Sequence, residues 1–212
     1  MTALLPRLLG PDVLPLAELM ALCLDGQLYR VGDSFATLDT PESAELRAHA
    51  FTAQAPPFAI ADRGTAAWIH GARASPPARL QVCVDTRNRG GRIPAEFDSR
   101  QSTFARGDVQ RIGVARVTSP ERTALDLICA DGRFPPDTAA QVRHLLGISG
   151  VSVAALRSRM RASPRWGARR SLARVDRLTA LAEFAVRPRR RAQPAPTALT
   201  ALTASRLAVS PR

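Results

Sequence analysis

The feature that most constrains this chain lies near its middle. Residues 111–117 have strand character and pass without a spacer into Thr118-Ser119-Pro120-Glu121-Arg122-Thr123-Ala124-Leu125-Asp126-Leu127. That run is a strong helix start. A hydroxyl can accept from first-turn amides, a proline sits where no amide hydrogen is needed, and a glutamate faces the positive helix end. Arg122 and Asp126 stand four apart and can pair along one helix face. An exposed pair of this kind is worth about 0.3–0.5 kcal/mol.

Other segments extend the pattern. Leu16, Leu19, Met20 and Cys23 fall at helical spacing, with Gly26 as a stop. Leu28-Tyr29-Arg30-Val31 and Ser34-Phe35-Ala36-Thr37-Leu38 flank Gly32-Asp33, a two-residue hairpin turn. Thr40-Pro41 reads as the start of a helix that ends before Pro56-Pro57, and Asp62 as the cap of a short helix through Ala66, Trp68 and His70 to Gly71. Residues 80–84 form a strand, and Arg87 to Arg92 a basic loop. Helices are expected over 138–146, 151–160 and 166–185. Val153, Leu156 and Met160 fall on one face of the second, with Arg157 and Arg161 on another. Leu172, Val175, Leu178 and Leu181 point inward on the third, with Arg170, Arg174 and Arg177 as a separate stripe. From Arg187 on, Arg, Pro, Ala and Thr leave no apolar face to bury, so a disordered tail is expected.

The expected class is α+β: a small N-terminal helix–hairpin module over residues 1–40, a central mixed sheet with helices over 41–185, its basic helical part at 151–185, and a disordered tail over 186–212. The opening 24 residues are apolar but broken by Pro6, Arg7, Gly10, Pro11, Asp12, Pro15 and Glu18. They fit neither a bilayer span nor a secretory leader, so a cytoplasmic protein without a membrane partner is expected.

Composition narrows the chemistry. All 30 basic residues are arginine. Without lysine there is no Walker-type phosphate loop, no Schiff base and no common metal-nuclease lysine, and arginine cannot substitute because it stays protonated. Cys23, Cys83 and Cys129 lie far apart among apolar neighbours and read as buried thiols. His49, His70 and His144 are equally isolated. With no carboxylate cluster and no histidine placed to activate a nucleophile, the expectation is no catalysis, no metal and no cofactor.

Charge is unevenly distributed. Residues 1–150 hold 16 Arg and 16 acids, whereas residues 151–212 hold 14 Arg against Asp176 and Glu183, so the net +12 resides in the second part. That asymmetry points to a polyanionic partner, nucleic acid or an acidic protein surface. Arg157, Arg161, Arg165, Arg169, Arg170, Arg174 and Arg177 are the candidate nucleic-acid contacts. Trp68 and His70 read as packing residues, and Tyr29 as either a base-stacking ring or a cross-strand partner.

Three segments carry a family resemblance. Residues 117–127, entered from a strand, resemble the signature segment of AbiEi-family antitoxins. Ala66-Ala67-Trp68-Ile69-His70-Gly71 is similar to a second family feature, and the N-terminal helix leading into residues 28–35 is similar to the wing of the family's winged helix. The resemblance covers most of residues 14–150. It implies a type IV antitoxin, opposing a nucleotidyltransferase-like toxin without a tight complex, and a transcriptional autoregulator that binds promoter DNA. It marks Thr118, Pro120, Glu121, Arg122 and Asp126 as motif residues and makes Tyr29 and Arg30 candidate DNA contacts.

The chain departs from the family pattern in its N-terminus. Only one helix precedes the hairpin, and its outward residues Glu18, Ala21 and Asp25 include two acids and no Arg, unlike a major-groove reader. Nor is the endonuclease-like activity of some longer relatives expected, since the chain has no lysine to complete such a site. The other expectation, from a different class, is a non-specific nucleic-acid-binding accessory protein working through the Arg-rich C-terminal segment.

Overall fold

The computed structural model describes residues 6–87, 92–162 and 168–186, with side chains up to Leu178. The fold is α+β. Helix α1 (Leu16–Leu24) leads into strands β1 (Leu28–Val31) and β2 (Ser34–Thr37), and then come α2 (Ala44–Thr52), β3 (Ile60–Ala61), α3 (Arg63–Ile69) and β4 (Gln81–Asp85). Strands β5 (Asp98–Ser102), β6 (Val109–Ile112) and β7 (Ala115–Thr118) precede four helices: α4 (Pro120–Cys129), α5 (Pro136–Ser149), α6 (Val153–Arg161) and α7 (Arg169–Val186). One compact unit spans Met1–Thr179 and a second Ala180–Arg212, the described part of the latter being the end of α7.

The N-terminal hairpin forms as expected. Gly32 takes a φ of 65°, which opens the two-residue turn between β1 and β2. Leu9 adds a bridge to Phe35, and Leu9, Leu19, Leu28 and Phe35 form a small core there. Of the apolar residues in α1 only Leu19 is buried. Leu16, Met20 and Leu24 lie on the solvent side, contrary to the inward face expected of Leu16 and Met20.

The main sheet has the order β5-β4-β3-β7-β6 and is mixed: β3–β7 and β4–β5 are parallel, while β3–β4 and β6–β7 are antiparallel. One face packs on α2 and α3 through Leu46, Phe51, Ile69, Val82 and Val117. A second core joins α4 to the later helices through Ile128, Val142, Leu145, Leu156, Met160, Val175 and Leu178. The inward faces expected of α6 and α7 are present, with Val153 and Leu172 only partly covered. Leu181 lies outside the described side chains; of the tail expected over 186–212, Val186 ends α7 and the rest lies outside the described residues.

Several expected boundaries are corrected. The helix after the first hairpin starts at Ser43, whose Oγ accepts from Leu46 N at 3.1 Å, and not at Thr40. Thr40 instead pairs its hydroxyl with Thr37 at 3.0 Å and gives its carbonyl to Tyr29, which keeps it in the turn. The single strand read over 111–117 is a hairpin: Gly113, at φ 55°, begins a two-residue turn between β6 and β7. Strands β3 and β5 add to those expected from the sequence. The fifth helix runs past Gly147 to Gly150, whose φ of 68° makes it the left-handed cap.

Candidate functional site

The junction from β7 into α4 behaves locally as its residues dictate. Ser119 caps α4, its Oγ accepting from Arg122 N at 3.4 Å, and Pro120 fills the first turn. The Arg122–Asp126 pair forms, Nε to Oδ2 at 3.1 Å. It is not the surface pair expected: Arg122 is 2% and Asp126 1% exposed, because residues 122–128 of α4 are all buried. Arg122 also donates to Asp108, to the Thr103 carbonyl and to Ser102 Oγ, and lies 4.8 Å from the centre of the Phe104 ring.

From Asp126 the charges continue as a chain. Arg100 on β5 reaches Asp126 Oδ2 at 2.9 Å and Asp62 Oδ2 at 2.5 Å. Asp62 is fully buried and also takes Arg63 Nε at 3.2 Å, and Arg63 reaches Asp98 at 3.1 Å. The order is Asp98–Arg63–Asp62–Arg100–Asp126–Arg122–Asp108, four acids alternating with three arginines, one negative charge in excess. Gln81 supports its outer end, donating to Asp98 at 3.0 Å and accepting from Gly64 N at 2.7 Å. Asp62 stands at the N-cap position of α3 as read from the sequence, but its carboxylate makes no capping bond. The two guanidiniums claim it.

Burial pushes Asp62 upward from its ordinary pKa, against the pull of Arg100 and Arg63. At Asp98 desolvation also pushes up, but the Arg63 hydrogen bond and charge, with Gln81 and Arg79, outweigh it and hold the carboxyl low. Arg63 is the sole described non-glycine residue with positive φ, at 44°, a conformation costing about 1–2 kcal/mol. Its two aspartates hold it there. A pocket of about 460 Å³ lined by Arg63, Gln81, Asp98, Arg100 and Asp126 opens beside the charge chain, and Asp126 Oδ1 is buried without a hydrogen-bond partner. All four carboxylates of this network are engaged by arginine, so the arrangement locks β3, β5, α3, α4 and the 103–108 loop together.

No protein-family model matches the chain, and no curated protein matches it.

The C-terminal arginines divide into three groups. Arg174 is a correction: it is 4% exposed and not part of a solvent stripe. Its guanidinium donates to the carbonyls of Ile128, Ala130 and Gly132 at 2.5–2.6 Å and lies over Phe134, satisfying the unpaired end of α4. Arg157, Arg159 and Arg170 pair with Asp176, Glu121 and Asp131 respectively, so Glu121 also serves as a tie to α6. Arg161, Arg169 and Arg177 are exposed and meet no acid among the described residues. Arg165 lies outside the described residues.

At the first hairpin, Tyr29 is half-buried. Its hydroxyl donates to the Thr40 carbonyl at 2.7 Å and its ring packs on the core, with burial raising its pKa. Arg30 stays largely exposed, 3.5 Å from Asp33 and 5.9 Å from the Phe35 ring centre. Trp68 packs in the core as expected, 2% exposed. His70 holds the Thr118 carbonyl at 2.7 Å, and Thr118 joins its own hydroxyl to Thr123 at 2.8 Å. Of the three thiols only Cys83 is fully buried, while Cys23 and Cys129 are partly covered. Burial raises the Cys83 and Cys129 pKa values, which disfavours their thiolates. Among the described residues no group of three or more His, Cys, Asp and Glu side chains could hold a metal, and no single described helix is long and apolar enough to cross a membrane.

Proposed function

We propose that this chain works by binding, as an AbiEi-type antitoxin and regulator that meets nucleic acid through its C-terminal arginines and is paired functionally with a nucleotidyltransferase-like toxin. What carries this reading is the charge left over once packing is complete. Arg161, Arg169 and Arg177 face solvent without an acid among the described residues, while their neighbours Arg157, Arg159, Arg170 and Arg174 are tied into the fold. Exposed guanidiniums without counter-charges suit a phosphate backbone. The ordered motifs in residues 28–35, 66–71 and 117–127 add the family expectation, and the absence of lysine supports a binder over a nuclease.

One observation favours the second reading, a sequence-blind accessory protein. The outward side of α1 carries Glu18 and Asp25 with Leu16, Met20 and Leu24, a surface unsuited to reading base edges.

The test is binding of the full chain to its own upstream DNA and to scrambled DNA across a salt series. In the triple variant Arg161→Gln, Arg169→Gln, Arg177→Gln the slope of log affinity against log salt should fall by roughly 2–3, near 0.9 for each phosphate no longer neutralised. Preference for the upstream fragment supports the autoregulator, and co-expression with the toxin then checks rescue of growth. Equal binding supports the accessory protein. No binding at low salt defeats both.

A further inference from the structure

The β6–β7 hairpin carries an arrangement that packing does not explain. Arg111 and Arg116 are Cα partners, directly opposite one another on the same sheet face. Cβ atoms so placed lie about 5 Å apart, and like charges there are destabilising. Registers across the sheet put Arg111, Arg116, Ile60, Cys83 and Arg100 in one row that contains no acid. Arg100 is held by Asp62 and Asp126, but no ion pair or hydrogen bond engages the side chain of Arg111 or Arg116 among the described residues.

An arginine on an edge strand can simply prevent edge-to-edge pairing, and β6 is an edge. That reason does not reach Arg116, which sits on β7 between β3 and β6. The tip adds a second observation. Gly113 turns the chain at φ 55° with open space where a Cβ would be, and Val114 is 70% exposed. The hairpin end is therefore open to solvent, with an apolar tip and two cross-strand arginines behind it, Arg111 exposed and Arg116 half-buried.

We propose that the β6–β7 hairpin is a nucleic-acid contact in which Arg111 and Arg116 together hold one backbone phosphate and Val114 rests against the groove wall. Two guanidiniums converging on one phosphodiester would turn an unfavourable pair into a clamp, because the anion screens their repulsion while each donates hydrogen bonds to it. The inference rests on the reading that the chain binds nucleic acid, and adds a site to it on a different element from the α6–α7 arginines.

A fluorescent DNA duplex, titrated in a salt series with the full chain, tests it. The double variant Arg111→Gln, Arg116→Gln should lower the salt slope by about 0.9, one phosphate. The control Arg7→Gln, Arg133→Gln removes the same charge from two exposed arginines elsewhere and should leave the slope where it was. The melting temperature of the first double variant, without DNA, should hold or rise, since a repulsive pair has gone. A salt slope equal to that of the control overturns the clamp, as does a lower melting temperature, which would make the pair structural. Poly-glutamate competing as well as DNA of equal charge would place an acidic protein there instead and also overturns it. Wild-type protein that binds no DNA at low salt removes both this site and the function proposed above, whereas wild-type binding unaffected by the hairpin variant removes this site alone.

Discussion

Replacing Arg122 with Met keeps part of its apolar stem but strips one guanidinium from the half-buried Asp108 and from Asp126, where little water can enter. Breaking a buried pair from one side costs about 3–5 kcal/mol, so urea unfolding should show a loss of that order. Arg122→Lys should recover only part of it, because an ammonium cannot reproduce the fork that reaches Asp126, Asp108 and Ser102 together. His70 gives a prediction in pH. Burial lowers its pKa below the usual 6.5, against the hydrogen bond to Thr118. The folded state thus binds the proton more weakly than the unfolded one. Its contribution is complete above about pH 6.5 and is lost as pH falls through the folded pKa. Stability measured from pH 7.5 to 5 should decline more steeply in wild type than in His70→Gln. The Arg122–Asp126 spacing was legible in the sequence; its burial was not. Residues 122–128 of α4 are all buried, so the polar side of this amphipathic helix, which its sequence suggests for solvent, is covered as well.

At the level of elements, the two rival starts of α2 separate cleanly. Ser43→Ala removes a real cap and should cost about 1 kcal/mol in thermal or chemical denaturation, whereas Thr40→Ala should cost less, since only the hydroxyl pairing with Thr37 goes. Elements with strong local chemistry could be read directly: the Gly32-Asp33 hairpin, the capped α4 and the amphipathic α6 each follow from their own residues. Strand β5, Asp-Ser-Arg-Gln-Ser, shows no alternation of apolar residues. Its Asp98 and Arg100 enter the charge chain and not an apolar core, so the usual period-2 signal is missing. Strand β3 is two residues long and gives too little sequence to register. The β6–β7 turn escaped because Gly-Val lacks the Asn or Asp that commonly marks a tight hairpin.

For the whole molecule, the α+β class and the basic C-terminal helices were visible in the sequence, but not how those helices are used. Four residues of α6 and α7, Leu156, Met160, Val175 and Leu178, are fully buried against α4 and α5. A chain cut after Gly150 should therefore lose cooperative unfolding and bind a hydrophobic dye, as followed by circular dichroism and fluorescence. Binding studies should use charge variants of the full chain instead. Charge alone could not sort the arginines, because Arg174 and Arg177 lie three apart on one helix and differ only in what packs over them. Arg174 also sets an order of events. The carbonyls it holds at Ile128, Ala130 and Gly132 are made more than 40 residues earlier. On the ribosome the sheet and α4 emerge first, and the end of α4 stays hydrated until α7 arrives. Helix α7 is thus a latch made after the element it closes, and a nascent chain that has not yet released Arg174 leaves the end of α4 open to proteases.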